Sequence, residues 1–239
     1  KHKKAAVDAK KGKIFSKIIR EIMVAAKEGG SDINSNPRLR LAVNKAKSNN
    51  MPNENIDRAI KKGSGELEGV DYLEIMYEGY GPAGVAILLD ILTDNKNRTA
   101  GEIRNVFNKN GGNLGESGCV SWMFERKGLI FVSALKYNED ELMELAIDCG
   151  ADDIKKDGDE FIIFTSVEYF SDVVEKLKKR IEIINAEISM EPKNTVAITG
   201  ENAQKILKLI DALEDNDDVQ NVYSNFDIDD DELEKLEGV

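Results

Sequence analysis

A single histidine, a single tryptophan and two cysteines in 239 residues leave little room for several kinds of chemistry. His2 stands in a lysine-rich start with no nucleophile beside it, so neither a triad nor a histidine-based metal site can be read. Cys119 and Cys149 are 30 residues apart with no second pair, which excludes the usual zinc spacings. They read as reduced thiols in a cytosolic protein, with a disulfide as the alternative. No apolar run approaches the roughly 20 residues that span a bilayer; the strongest, Val85–Leu89, stops at Asp90. No apolar leader is visible either, so a cytoplasmic protein without membrane contact is expected. Walker loops and Cys/His clusters are missing too, and the abundant carboxylates read as solvated surface. We therefore expect no catalytic residue, no metal, no cofactor and no small-molecule substrate. At 41% hydrophobic and 33% charged residues, the composition is that of globular domains.

What the chain has is a lopsided charge. Residues 1–65 carry 16 Lys/Arg against 6 Asp/Glu; with the whole at −12, the remainder holds −22. A basic end on an acidic body suggests a module that binds a polyanion, most simply nucleic acid, joined to domains that repel it. Those acidic domains are candidates for docking protein partners.

The basic end reads as three helices. Phe15, Ile18, Ile19, Ile22 and Ala26 repeat at helical steps up to Gly29-Gly30. On the same wheel Lys10, Lys13, Lys17 and Arg20 fall within about 80° of one another, opposite Phe15. Lys3 joins them if the helix continues through Gly12, with Lys1 and Lys4 nearby. Asn36-Pro37 announces a second helix, cap residue and then proline. Its buried stripe is Leu39, Ala42, Val43 and Ala46, flanked by Arg38 and Lys45 on one side and Arg40 and Lys47 on the other. A third helix starts near Pro52-Asn53, buries Ile56, Ala59 and Ile60, and carries Lys61 and Lys62 in its last turn. Base-edge readers at helical spacing are missing, so phosphate contact is better supported than sequence reading.

Beyond Gly63–Gly69, a plausible linker, the periodicity changes. Tyr72–Tyr77 and Val85–Leu92 read as strands about a Gly/Pro turn. Residues 128–190 read as β-α-β-β-α-β. With that stretch removed, strand 84–92, helix 98–110, strands 119–125 and 194–199, helix 201–214 and strand 219–227 give the same order. The expected class is α+β and multidomain: a three-helix domain (1–68), a ferredoxin-like α/β domain (69–127 with 191–239), and a second ferredoxin-like domain (128–190) inserted into it. The acidic tail from Asp227 is expected to fray.

Three motifs tempt. Gly79-Tyr-Gly-Pro-Ala-Gly84 matches a dinucleotide fingerprint in letters, but leads into a strand and reads as a hairpin turn. Lys127–Val132 partly echoes an RNA-binding strand without its stacking rings, so Phe131 reads as core. Gly111–Gly118 links a helix to a strand and reads as a loop whose glycines serve backbone geometry, close approach to a nucleic-acid backbone being the lesser option.

From Lys1 through Ser16, and again at Asn36–Arg40, Met51–Ile56, Tyr77–Gly84, Thr93–Thr99 and Gly111–Gly115, the sequence resembles the YebC/PmpR family over nearly its whole length. The resemblance implies a helical domain followed by two α/β domains, cytoplasmic and without a cofactor. It implies DNA-binding transcriptional regulation, or translation-factor activity on the ribosome. The latter is seen in relatives such as the mitochondrial translational activator of cytochrome c oxidase. The expectation from charge and resemblance together is a nucleic-acid-binding regulator, with the ribosome and its RNA as the alternative target. Lys10, Lys13, Lys17 and Arg20 are its expected main phosphate face, supported by Lys1, Lys3, Lys4, Arg38, Arg40, Lys45 and Lys47. Roughly 6–8 such contacts give a log–log salt slope of about −5 to −7 on duplex DNA.

Overall fold

A computed structural model describes the backbone of residues 2–237 and the side chains of residues 10–236. The chain forms two compact units, one from residues 1–122 with 194–239 and the other from residues 123–193.

The first unit opens with α1 (His2–Gly29), α2 (Pro37–Ser48) and α3 (Asn53–Ser64). Helix α1 runs unbroken through Gly12, which faces open space, so the only cost there is backbone entropy. The apolar stripes meet as the spacing predicts: Ile18, Ile22, Met23 and Ala26 of α1 share a core with Leu39, Ala42, Val43, Ala46, Ile56 and Ala59. Asn36 joins two helices with one side chain. Its Oδ1 accepts the Leu39 amide at 3.1 Å to cap α2, while its Nδ2 donates to the Ala25 and Gly30 carbonyls at 2.8 Å. Gly63 lets α3 close onto α1, since a Cβ there would stand 2.3 Å from the Met23 carbonyl oxygen.

The same unit holds a sheet in the order β3-β1-β2-β9, from β1 (Leu73–Tyr80), β2 (Ala86–Thr93), β3 (Asn113–Leu114) and β9 (Val219–Ser224). Helices α4 (Lys96–Lys109) and α7 (Gly200–Glu214) share its core, where Ile87, Leu89 and Ile91 meet Ile103, Phe107, Ile206 and Leu209. Two details differ from the expected strand list. Residues 119–123 are turns and a short 3-10 segment, and the strand that follows, β4 (Phe124–Ser133), belongs to the second unit. The third sheet position is filled by β1, while β8 (Val196–Ala197) pairs apart from the sheet with β10 (Phe226–Asp227). The acidic tail does not fray after Asp227: α8 (Asp230–Glu237) forms, and its Leu233 and Leu236 pack on the sheet core.

The second unit adds α5 (Glu139–Asp148), β5 (Asp153–Asp157), β6 (Glu160–Thr165), α6 (Phe170–Lys178) and β7 (Asn185–Pro192) to β4. Its antiparallel sheet runs β5-β6-β4-β7, the ferredoxin-like order expected of a β-α-β-β-α-β chain. The chain enters it after Trp122 and leaves it at Lys193, so it is inserted within the first.

Candidate nucleic-acid interface

The lysine stripe on α1 exists as the helical spacing predicts, but its first partner is the protein itself. Helix α7 ends at Glu214 with no basic residue in its last turn, leaving carbonyl oxygens and a negative dipole end. The turn into β9 then adds Asp215, Asp217 and Asp218. The ammonium of Lys13 meets the Asp215 carboxylate and stands 3.1 Å from the Asp215 carbonyl oxygen. Lys17 donates to the Glu214 carbonyl. Burial lowers the Lys17 pKa from its ordinary value, against the opposing pull of Glu214 and Asp217. Lys10 is exposed and acts on Glu214 through charge alone.

Arg20 goes deepest. Its Nη1 donates to Asp218 Oδ1 at 2.7 Å and to the Leu92 carbonyl at 3.0 Å, and its guanidinium lies 5.0 Å from the Tyr72 ring centroid. Asp218, 4% exposed, also accepts from Arg98 at 2.9 Å and from the Thr99 hydroxyl at 2.7 Å. Burial pushes the Asp218 pKa up, but these donors outweigh it and hold the carboxyl below its ordinary value. The Thr93–Thr99 segment is thus largely a receptor for Asp218, with Asn95 capping α4 by accepting the Arg98 amide at 3.1 Å. Lys13, Arg20, Arg98 and the acidic turn line a polar cleft of about 340 Å³.

Arg38 is likewise committed. Its guanidinium contacts Glu21 at 2.8 Å, Glu28 at 2.7 Å and Glu74 at 2.8 Å, tying α1, α2 and β1 together. Burial opposes its charge, yet Glu21 and Glu74 raise its pKa above the usual arginine range. Lys13, Lys17, Arg20 and Arg38, expected as phosphate ligands, thus each have a partner within the protein itself. The physical reason is tertiary: Asp215, Asp218 and the Glu214 carbonyl, brought from the acidic part of the chain, reach Lys13, Arg20 and Lys17, while Arg38 is held by Glu21 and Glu28 of α1 together with Glu74.

The other expected site residues stand differently. Lys1 lies outside the described residues, and Lys3 and Lys4 are placed only as backbone of α1. Arg40 is half-buried and makes a long contact, 3.4 Å, to the Asn34 carbonyl. Lys45 and Lys47 are exposed in the last turn of α2, and no ion pair holds either among the described residues. Lys61 and Lys62 are in the same condition in the last turn of α3. That last pair was visible in the sequence as lysines in the last turn of the third helix, but was not among the expected phosphate ligands.

The glycine-rich loop answers to backbone geometry. Glu78, 4% exposed, accepts the amides of Gly118 at 2.7 Å and of Val120 and Ser121 at 2.8 Å. Burial raises the Glu78 pKa, but the three amides outweigh that and leave it below its ordinary value. Gly112 is needed because a Cβ there would stand 2.4 Å from the Tyr80 carbonyl oxygen. Gly79 and Tyr80 end β1, and Gly81–Val85 forms the β1–β2 hairpin turn, with Gly81 N donating to the Val85 carbonyl at 2.8 Å.

Comparison with known proteins agrees over the whole chain. Residues 1–66 match the model of the TACO1/YebC protein N-terminal domain, and residues 72–226 that of the TACO1/YebC second and third domain. A protein of Syntrophobacter fumaroxidans named "probable transcriptional regulatory protein" is 58% identical over 238 residues, covering 99% of this chain and 96% of that one. One of the same name from Thermotoga maritima is 58% identical over 237 residues, covering 99% and 94%. The crystal structure of a hypothetical protein from Aquifex aeolicus superposes with a TM-score of 0.86 at 53% identity, covering 94% of this chain and 93% of that one.

Proposed function

The chain belongs to the TACO1/YebC family, and from that premise we propose that it is a regulatory protein that binds nucleic acid through the outer ends of α2 and α3. Lys45, Lys47, Lys61 and Lys62 make the phosphate contacts, with Arg40 in the first turn of α2 as a further cation. The observation that supports this is their state: exposed ammonium groups that no ion pair holds among the described residues, on a helical layer of net positive charge. Helix α3 spans about 18 Å, so lysines at its end and on the preceding turn of chain can follow several phosphates. Lysine is a point charge with no fixed fork, suited to backbone contact rather than to reading base edges. The protein acts by binding, with no catalytic step. The name given to its relatives favours duplex DNA and transcription as the setting; ribosomal RNA is the alternative.

The test replaces Lys45, Lys47, Lys61 and Lys62 together by Gln and measures affinity for duplex DNA and for a ribosomal RNA fragment against salt. The expected loss is uniform across sequences, with the log–log slope shallower by about 3.5 on duplex DNA. An unchanged slope on both nucleic acids overturns the assignment. Binding confined to the RNA moves the setting to translation.

A further inference from the structure

We propose that the acidic turn between α7 and β9 is an internal stand-in for phosphate, masking a second nucleic-acid surface formed by Lys10, Lys13 and Lys17. This rests on the reading above that the protein binds nucleic acid, and adds a concealed part to that interface.

Three observations carry it. The stripe has the geometry of a phosphate-contacting face, with three lysines on one side of a helix that runs unbroken from His2. Its occupants offer the chemistry of a nucleic-acid backbone: the Asp215 carboxylate and the Asp215 and Glu214 carbonyls, at the negative end of α7. And exposure falls steeply along the contact. Side chains at the rim are open, Lys13 at 40% and Asp215 at 73%, whereas Arg20 and Asp218 at the base are 18% and 4% exposed. Exposed pairs exchange partners readily in salt water, while a buried, multiply bonded pair does not. Lys13 at the rim can therefore trade the Asp215 carboxylate for a phosphate by side-chain rotation, and half-buried Lys17 can swing from the Glu214 carbonyl, with the Arg20–Asp218 base holding α1 in place. In the masked state stray nucleic acid meets carboxylates. A site dense enough in phosphate to displace them gains up to three further contacts.

The experiment removes the mask and keeps the base: Glu214→Gln, Asp215→Asn and Asp217→Asn together, with Asp218 intact. Affinity for duplex DNA and a ribosomal RNA fragment is measured from about 50 to about 200 mM salt, a range that resolves such contacts. The unmasked variant should bind on the order of 10-fold tighter at low salt, with a slope steeper by about 2–3. Adding Lys13→Gln and Lys17→Gln should abolish that gain, although the same two changes in the natural chain alter little. Asp215→Asn alone, at an open position, should steepen the slope by about 1 and covers the case in which the triple variant fails to fold. Glu144→Gln, Asp148→Asn and Glu168→Gln change net charge equally within the other unit; an equal gain there makes the effect one of overall charge and overturns the masking. An unchanged slope in the triple variant, with the natural chain still binding, overturns the masking and leaves the proposed function standing. If neither chain binds either nucleic acid, the proposed function falls and the masking with it.

Discussion

Replacing Asp218 by Asn should damage the fold more than replacing its partner Arg20 by Met, and the structure fixes the reason. Asp218 is nearly inaccessible and neutralises two guanidinium groups. Arg98 is 42% exposed and keeps Asp94 at 3.0 Å, so it rehydrates at little cost. Arg20 cannot; among the described residues it retains the Leu92 carbonyl and the Tyr72 ring as its charge loses its counterion. Stranding a buried charge costs about 3–5 kcal/mol. Because an Asn oxygen still accepts one bond, the low end applies, about 3 kcal/mol. For a chain of this size that is a fall in Tm of about 6–12 °C. Arg20→Met leaves Asp218 with Arg98 and Thr99, and should cost about 1–2 kcal/mol, with the double variant far from additive. Scanning calorimetry at neutral pH reads all three. The pH dependence follows from the lowered Asp218 pKa: its contribution is complete above the unfolded value of about 3.9 and is lost as pH falls through the folded value. The acid limb of the stability curve should therefore flatten in Asp218→Asn. A Tm within about 2 °C of the natural chain would refute the argument that this carboxylate anchors α1.

Glu78→Gln should cost about 2–3 kcal/mol, because an amide cannot serve three converging N–H donors as a carboxylate does; a shifted Trp122 emission should accompany the lower Tm. The natural chain should lose that contribution below about pH 4, since the folded Glu78 pKa lies under its unfolded one. Gly63→Ala should destabilise by more than about 2 kcal/mol, as the new methyl meets the backbone of α1 at Met23. Gly101→Ala, in the exposed interior of α4 with no neighbour within 4 Å, should instead stabilise by about 0.5–1 kcal/mol. Denaturant titration of the two glycine variants settles both signs.

The helices were legible because their signals are local. Asn36-Pro37 caps α2 as its letters suggest, and the apolar stripe of α1 meets those of α2 and α3 at the expected positions. The second unit was legible for a related reason: its strands and helices alternate at short range, and one antiparallel order satisfies them. Less readable was which of several strand-like stretches joins the first sheet. Strand β8 is two residues long, and β1, from an earlier part of the chain, takes the place it was expected to fill. The tail misled through composition: its acids suggested fraying, whereas Leu233 and Leu236, three residues apart, carry the signal of a packed helix.

The site shows the same division. Helical spacing placed Lys10, Lys13, Lys17 and Arg20 on one face, but the groups opposite them lie about 200 positions away in sequence. An unusually acidic stretch, Asp211 to Asp218, was the available clue that an internal counter-surface existed. Free charge is a property of the folded surface, and composition alone could not separate Lys45 and Lys47 from Lys13 and Lys17.

Lysine footprinting tests the central claim most directly: acylate surface lysines with and without saturating nucleic acid and quantify each by mass spectrometry. Protection of Lys45, Lys47, Lys61 and Lys62, with lysines of the inserted unit such as Lys155 and Lys156 unaffected, is the result predicted. Uniform labelling with and without nucleic acid, or protection confined to the inserted unit, would contradict the account.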